Sequence, residues 1–573
     1  MAKDFFDLPD IDPVKITKGV IKLQRAWAAN TTYKRVAEEH GHETAEAAAA
    51  AVKAGRSPEP VIAQAVRRKK EREEREALLA SPPALHGSAR WAAPGDWEAV
   101  VRGREAFDDP RSILLGAVES SGRGVGFVHW DDEGHLLTVA PTRSGKAVTT
   151  IIPNLLRYGG SCVVLDPKGE LYDATSRFRA RVGPVYRIAP FDEPGAPNRH
   201  GYNPLAFVRT YSDARSLASL MFPHDPRGQV FFTDDAIAFV AALIAFLRTD
   251  APRHRQTIGT MRQMTALEPE AFREHVVGRM LGSQLSEVRQ AAANVAQKFG
   301  GTGTSIKNLL DTLNSKLALW SDPNIIEATD HHEVDFHTLK DGAATVYVTV
   351  PFDLMAPYAP FLKVLLKGAL DAMIRNPRKP DIPVLFVLDE FLSLGHFPEF
   401  RDAIRTHAGA GVRLWFFLQD LGALQEHYPG NAWQAFLNCS VKQFFGTDEP
   451  FTGELIGRLI GSRTIAYRST NESANVSAQM GQESGSAGVN LSTSENLAFA
   501  GKPLLTPDEV IQEMAGWRAD GTRAGIVQLR SPPFPIRVRL VPYDQSENCM
   551  RRFGRLRPEG VGDGGETSST RGP

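Results

Sequence analysis

The sequence predicts an α/β fold: a mostly parallel central sheet, an all-helical insertion that splits it, and a helical arm in front. Three observations predict it. Short continuous apolar runs, bounded by turn residues, alternate with helical stretches, the pattern of a parallel sheet covered on both faces. Between 206 and 335 the strand signals stop and consecutive helical patterns take over. Residues 1–85 have a different texture, rich in Ala, Glu, Lys and Arg.

Taken in order, 1–85 reads as a charged helical arm. Within it, 61–80 (VIAQAVRRKKEREEREALLA) is a solvated helix by its few apolar positions. A nucleic-acid arm is disfavoured there, because Glu71, Glu73, Glu74 and Glu76 offset the basic run 67–70. Residues 86–111 read as a linker by their Pro and Gly content. The first part of the sheet occupies 112–205, with strand signals at 125–130, 135–140, 161–165 and 185–188. The insertion, 206–335, carries helical patterns at 234–247, 269–281, 286–298 and 305–320. The sheet resumes over 336–543, with strands at 345–350, 384–388, 412–418 and 536–541. Inside this part, 469–494 is rich in Ser, Asn, Gly and Gln and is expected to be a mobile loop. Thr506, Pro507 and Glu509 spell a helix start with a capping box. Residues 544–573 read as a disordered tail.

Composition narrows the class. The chain has 573 residues, 42% hydrophobic and 23% charged, which is globular. Lys and Arg total 66 and Asp and Glu 67, so it is no histone-like basic protein, although net charge hides patches. Three cysteines, Cys162, Cys439 and Cys549, lack paired spacing, which excludes a disulfide scaffold and a zinc module. The longest apolar run, 236–247, is twelve residues, and a span needs about 20. No signal peptide or transmembrane segment is expected.

The chemistry concentrates at 135–150, HLLTVAPTRSGKAVTT. An apolar strand runs into Pro141, Thr142, Arg143, Ser144, Gly145 and Lys146, then a helix opening with Ala147 and Val148. Loop and helix-start N–H groups cradle phosphate oxygens, Gly145 allows close approach, and Lys146 supplies a charge for the β- and γ-phosphates. The match to the usual G-x-x-x-x-G-K-[ST] is incomplete. Ala140 replaces the first Gly, and Ala147 replaces the hydroxyl residue that would ligate Mg²⁺. Thr149 or Thr150 is the substitute to test, and a chance loop is the competing reading. A second element, PVLFVLDE at 383–390, ends an apolar strand in Asp389 and Glu390. In P-loop enzymes that Asp belongs to the Mg²⁺ shell and the Glu activates the attacking water. An ordinary strand ending in solvated acids is the alternative. The third is Gln419, closing the apolar strand LWFFLQ at a position where a side chain can sense the γ-phosphate. The three together point to a P-loop nucleotide site with Mg²⁺, with Gln419 at the sensor position of RecA-like motors.

Six segments then carry a family resemblance: APTRSGK (140–146), VVLDPKGELYDAT (163–175), YNPL (202–205), LDEF (388–391), FFLQDLGAL (416–424) and GKPLLTPDE (501–509). In this order they resemble the TraG-type coupling proteins of type IV secretion systems, over residues 112–543. The resemblance implies an ATPase related to RecA and to FtsK/HerA translocases, assembled as a hexamer at the inner face of the bacterial inner membrane. Such proteins receive a relaxase–DNA complex or effector proteins and pass them to the secretion channel components, with DNA met through its backbone. It also implies that Lys146, Asp389, Glu390 and Gln419 keep their roles and that Ala140 and Ala147 are unremarkable. Asp166, Lys168 and Glu170 lie at the family's second motif; they either border the phosphates or cap the strand and helix there. A cation from a neighbouring subunit is required in such rings; Arg405 and Arg413 are the candidates, with Arg458 a third. The family usually begins with transmembrane helices. Here the charged arm stands instead, so the expected location is cytoplasmic and peripheral, through a separate membrane-anchoring partner. A soluble FtsK/HerA-like translocase acting outside secretion, and a cargo adaptor with a decayed nucleotide site, are the competing functions. The cluster His331, His332, Glu333 and His337 lacks helical metal spacing and reads as a polar connector rather than a metal site.

Overall fold

The computed structural model describes residues 13–103, 107–120, 124–193, 196, 199–222, 230–300, 304–479, 486–547 and 549–550. The chain divides into two units, 1–89 with 461–504, and 90–460 with 505–573. Its strands are β1 (Val101–Arg102), β2 (Ile113–Ser120), β3 (Gly124–Trp130), β4 (Leu136–Val139), β5 (Cys162–Leu165), β6 (Val185–Ile188) and β7 (Thr345–Val348). They continue with β8 (Val384–Leu388), β9 (Val412–Leu418), β10 (Val441–Phe444), β11 (Ser462–Gln479), β12 (Ser486–Pro503), β13 (Arg523–Leu529) and β14 (Ile536–Leu540).

The larger unit is built on one twelve-stranded sheet, ordered β1-β3-β2-β14-β13-β10-β4-β9-β8-β5-β7-β6. From β10 to β6 every neighbour is parallel. From β1 to β10 the pairs are antiparallel. The parallel strands β4, β5, β8 and β9 are buried along their whole length. That is why they read as unbroken apolar runs rather than alternating ones. The turn 131–134 joins β3 to β4 without making a hairpin, since β3 pairs with β1 and β2 while β4 pairs with β9 and β10.

Between β6 and β7 the described residues form helices and no strand. Helix Val230–Thr249 runs through their middle, with Ala236 and Phe239–Leu247 buried. The twelve-residue apolar run is therefore core; among the described residues no helix is long and apolar enough to cross a membrane. Helix Thr304–Lys316 buries Ile306, Leu309, Leu310 and Leu313, an i, i+3, i+4, i+7 stripe.

The smaller unit holds helices Pro13–His40, His42–Lys53 and Glu59–Ala80 and the hairpin β11–β12. Alanines at 45, 48, 49 and 51 bury one face of the middle helix. The hairpin corrects one expectation. Residues 469–479 and 486–494 are not loop but strand, in an antiparallel ladder running without a slip from Ser462↔Pro503 to Gln479↔Ser486. A polar composition is compatible with a ribbon because backbone pairs, not an apolar core, define the ladder. The expected linker is also structured. His86 N–H donates to Thr464 Oγ1 at 2.9 Å and Ala89 N–H to Ser462 O at 3.0 Å, while 101–102 form β1. The first residues of the expected tail are structured: Met550 N–H bonds Ser546 O and Cys549 is buried. Residues 551–573 lie outside the described residues.

Candidate nucleotide site

Parallel strands deliver their following residues to one end of the sheet, and ligands in open α/β sheets bind outside the carboxyl ends of the strands. Here β4 leads into 140–146, β5 into Asp166, β8 into Asp389 and Glu390, and β9 into Gln419. The order β4-β9-β8-β5 makes these four termini neighbours, although Lys146 and Glu390 lie 244 residues apart.

The phosphate-loop candidates stay together. Pro141 accepts the Ser144 N–H, and Thr149 N–H reaches Gly145 O at 2.9 Å, closing the loop into the helix. Arg143 and Gly145 have φ of 60° and 86°, a left-handed turn that folds the loop on itself. The helix starts as a π-turn, Ala147–Ile151, with Val148 inside it, and continues as Ile152–Leu155. Such turns cluster at functional sites.

Lys146 stands between two carboxylates. Its Nζ is 3.0 Å from Asp389 Oδ1 and forms a short contact with Glu390 Oε1. Gln419 Nε2 donates to the other Glu390 oxygen at 3.1 Å. All of this is largely dry: the side chains of Lys146, Asp389 and Glu390 keep 11%, 9% and 14% of their exposure. Burial works against the ammonium, but Asp389 and Glu390 outweigh it and hold Lys146 above its ordinary pKa. Burial pushes the Asp389 carboxyl up, with Lys146 opposing it. Glu390 has φ 53°, an uncommon conformation for a non-glycine residue and typical of functional positions.

Asp166 is 1% exposed and accepts the Tyr172 N–H at 2.8 Å, so it caps the helix Glu170–Val182. Burial pushes its pKa up to about 6, and Asp389 adds to this. Lys168 and Glu170 are exposed and lie 4.0 Å apart.

The cation candidates separate. Arg405 is exposed near the end of helix Pro398–Thr406, before the start of β9. Arg413 is 2% exposed; its guanidinium donates to Arg111 O at 2.7 Å, Asp131 O at 2.6 Å and Asp132 O at 3.2 Å, and lies over Trp130. It sits at the amino end of β9, opposite to Gln419, and clips the turn 131–134. Buried, with Nη1 and Nη2 both engaged by carbonyls of its own chain, it is not presented to a neighbour, which corrects that expectation. Arg458 is exposed and pairs with Glu454.

Sequence reasoning missed three residues. Arg523 Nη1 donates to Ser144 O at 3.0 Å, across 379 residues of chain. Its guanidinium lies 5.4 Å from the Trp517 ring centre. Trp517 in turn covers Gly145: a Cβ on Gly145 would fall 2.5 Å from the indole. Gly446, after β10, lies against Ser144 and Arg523 in the same way. Nothing local in 517–523 announces a contact with the loop.

The donor set fits a hard cation and a phosphate. Mg²⁺ is usually held by one or two carboxylates together with substrate phosphates, and Asp389 offers the buried oxygen. Ser144 Oγ is buried at the loop without a hydrogen-bond partner. Thr149 Oγ1 donates to Gly145 O at 2.9 Å, back into the start of the helix. His331, His332, Glu333 and His337 do not converge: among the described residues no metal-holding cluster exists, Glu333 accepts the Gly201 N–H and His337 meets Arg209.

The fold is that of a P-loop NTPase with a RecA-like core. A family model described as type IV secretory system conjugative DNA transfer matches residues 97–519. The chain belongs to that family, the coupling proteins of type IV secretion. It is 30% identical over 485 residues to protein VirD4 of Rhizobium rhizogenes, covering 82% of this chain and 67% of that protein. It is 26% identical over 475 residues to the conjugal transfer protein TraG of Escherichia coli, covering 75% and 71%. The chain thus spans about two thirds of the length of the relatives it matches. Among solved structures, the bacterial conjugative coupling protein TrwBdeltaN70 in its unbound form shares the fold with a TM-score of 0.52 at 17% identity, over 81% of this chain and 95% of that one.

Proposed function

We propose that this chain hydrolyses ATP at the 141–148 loop and couples the reaction to delivery of DNA into a type IV secretion channel. The observation that carries it is Lys146 held between Asp389 and Glu390, with Gln419 on the far oxygen of Glu390. Lys146 leaves the carboxylates to meet the β- and γ-phosphates. Asp389, with the phosphates, would hold Mg²⁺, and the bound ion would supply charge neutralisation at the transferred phosphoryl group. Glu390, released from Lys146, orients and deprotonates the attacking water. Gln419, bonded to Glu390, transmits whether the γ-phosphate is present. The similar protein TrwB has been solved with a non-hydrolysable ATP analogue, which supports ATP as the nucleotide here.

The family reading extends to partners. We infer a hexameric ring with the site at a subunit boundary, where Arg405 is the candidate trans cation. The ring would stand at the cytoplasmic face of the inner membrane, anchored through other components, and take relaxase-bound DNA or effector protein as cargo. The test is steady-state phosphate release with and without single- and double-stranded DNA, beside Glu390→Gln. DNA stimulation abolished by Glu390→Gln supports a DNA-driven ATPase. Wild-type hydrolysis indifferent to DNA moves the cargo to effector protein.

A further inference from the structure

Helix Glu59–Ala80 is nearly neutral in one dimension but not in three. Its acids and bases alternate in sequence, yet 68, 72, 75 and 79 fall within about 60° of one another at 100° per residue. One face of the helix is therefore Arg68, Arg72, Arg75 and Leu79. That face lines a cleft of 580 Å³ whose opposite wall is Arg468, Asn496 and Leu497, from the base of β11–β12 in the same unit. Four guanidinium groups thus border one cleft, and all four are exposed. None of them forms an ion pair among the described residues. Of the two carboxylates at the rim, Glu71 is already bonded to Arg67 at 3.0 Å.

We propose that this cleft binds the phosphate backbone of a nucleic acid. Like charges gathered on one face repel and need an anion to offset them. Guanidinium groups match phosphate oxygens with paired N–H donors. From Arg68 to Arg75 the helix rises about 10 Å, close to three phosphates along one strand at 3.4 Å each. The site is an extended row rather than a point, so it fits a polymer and carries no sequence preference. It lies apart from the nucleotide site in the chain, and it rests on the DNA-transfer reading for the identity of its polyanion.

The experiment uses the full chain and a fluorescently labelled oligonucleotide, single- and double-stranded, titrated at several salt concentrations. Arg68→Ala/Arg72→Ala/Arg75→Ala should weaken binding at least tenfold. It should also lower the slope of log affinity against log salt by about 0.7–0.9 for each phosphate that no longer meets a guanidinium. The triple Lys variant should keep most of the slope. DNA-free ATP hydrolysis should be unchanged in both, which separates this site from the nucleotide site. Arg468→Ala alone should lower the slope in the same direction. A triple Ala variant with unchanged affinity and slope overturns the assignment of this surface while leaving DNA as cargo. Wild-type chain that hydrolyses ATP but binds no DNA overturns both. Polyglutamate displacing the oligonucleotide at equal charge concentration would make the cleft an acidic-protein site and overturn the nucleic-acid assignment.

Discussion

On the proposed mechanism, Glu390→Gln should separate nucleotide binding from hydrolysis, because Glu390 pairs with Lys146 and is the proposed base for the attacking water. The Lys146 ammonium is shared between Asp389 and Glu390. To reach a phosphate it must give up the charged hydrogen bond to Glu390. Hydrogen bonds to charged groups contribute about 1.5–3 kcal/mol and neutral ones about 0.5–1.5. The amide keeps a weaker bond, so the competition falls by about 1 kcal/mol, equivalent to roughly fivefold tighter ATP binding. Hydrolysis, lacking its base, should fall about 10²–10⁴-fold. Equilibrium titration with a fluorescent ATP analogue reads the first effect, and phosphate release at saturating ATP the second. Weaker binding by the variant, or hydrolysis within tenfold of wild type, would refute the competition and the base assignment respectively.

Three further outcomes follow from other interactions. Gly145→Ala forces a left-handed alanine, costing about 1–2 kcal/mol, and drives a Cβ into Trp517; ATP affinity measured by titration should fall at least tenfold, and adding Trp517→Ala should restore part of it. Asp166, raised to about 6 mainly by burial, takes up a proton on folding between its ordinary value and about 6, so it favours the folded state at low pH and opposes it as pH rises through that window. Asp166→Asn should therefore raise the melting temperature above pH 6, with the difference vanishing near pH 4 in a thermal series. Arg413→Ala leaves the half-buried carbonyls of Arg111 and Asp131 without their side-chain donor and should cost about 1–3 kcal/mol in denaturant unfolding, while the rate per folded molecule stays within twofold.

What sequence reasoning can see is what the chain writes locally. The loop 141–146, the Asp389–Glu390 pair and Gln419 each follow an apolar run, and the structure puts all three at the same end of the parallel strands. The partners that shape the loop stay hidden because Arg523 and Trp517 reach it across the antiparallel side, through a contact no nearby residue encodes. Arg413 shows the opposite error. Its place beside a functional strand suggests a catalytic cation, but a strand has two ends, and this residue is at the structural one. The ribbon β11–β12 escapes a reading of composition because polarity alone suggests disorder. The arginine face of Glu59–Ala80 is legible in its 4-3-4 spacing; summing charges over the helix conceals it.

The strand β6 ends the sheet, and the long helical excursion leaves from it and returns to β7, its neighbour in the sheet. The excursion is thus hung from a border of the sheet rather than threaded through its middle. It also meets the core directly: on helix Ala359–Arg375, Arg375 pairs with Asp213 and Phe361 packs edge-on against Trp320. Grafting the excursion between relatives therefore has to carry its partners on helix Ala359–Arg375 with it, and a graft that does so tests whether the excursion sets what the core serves.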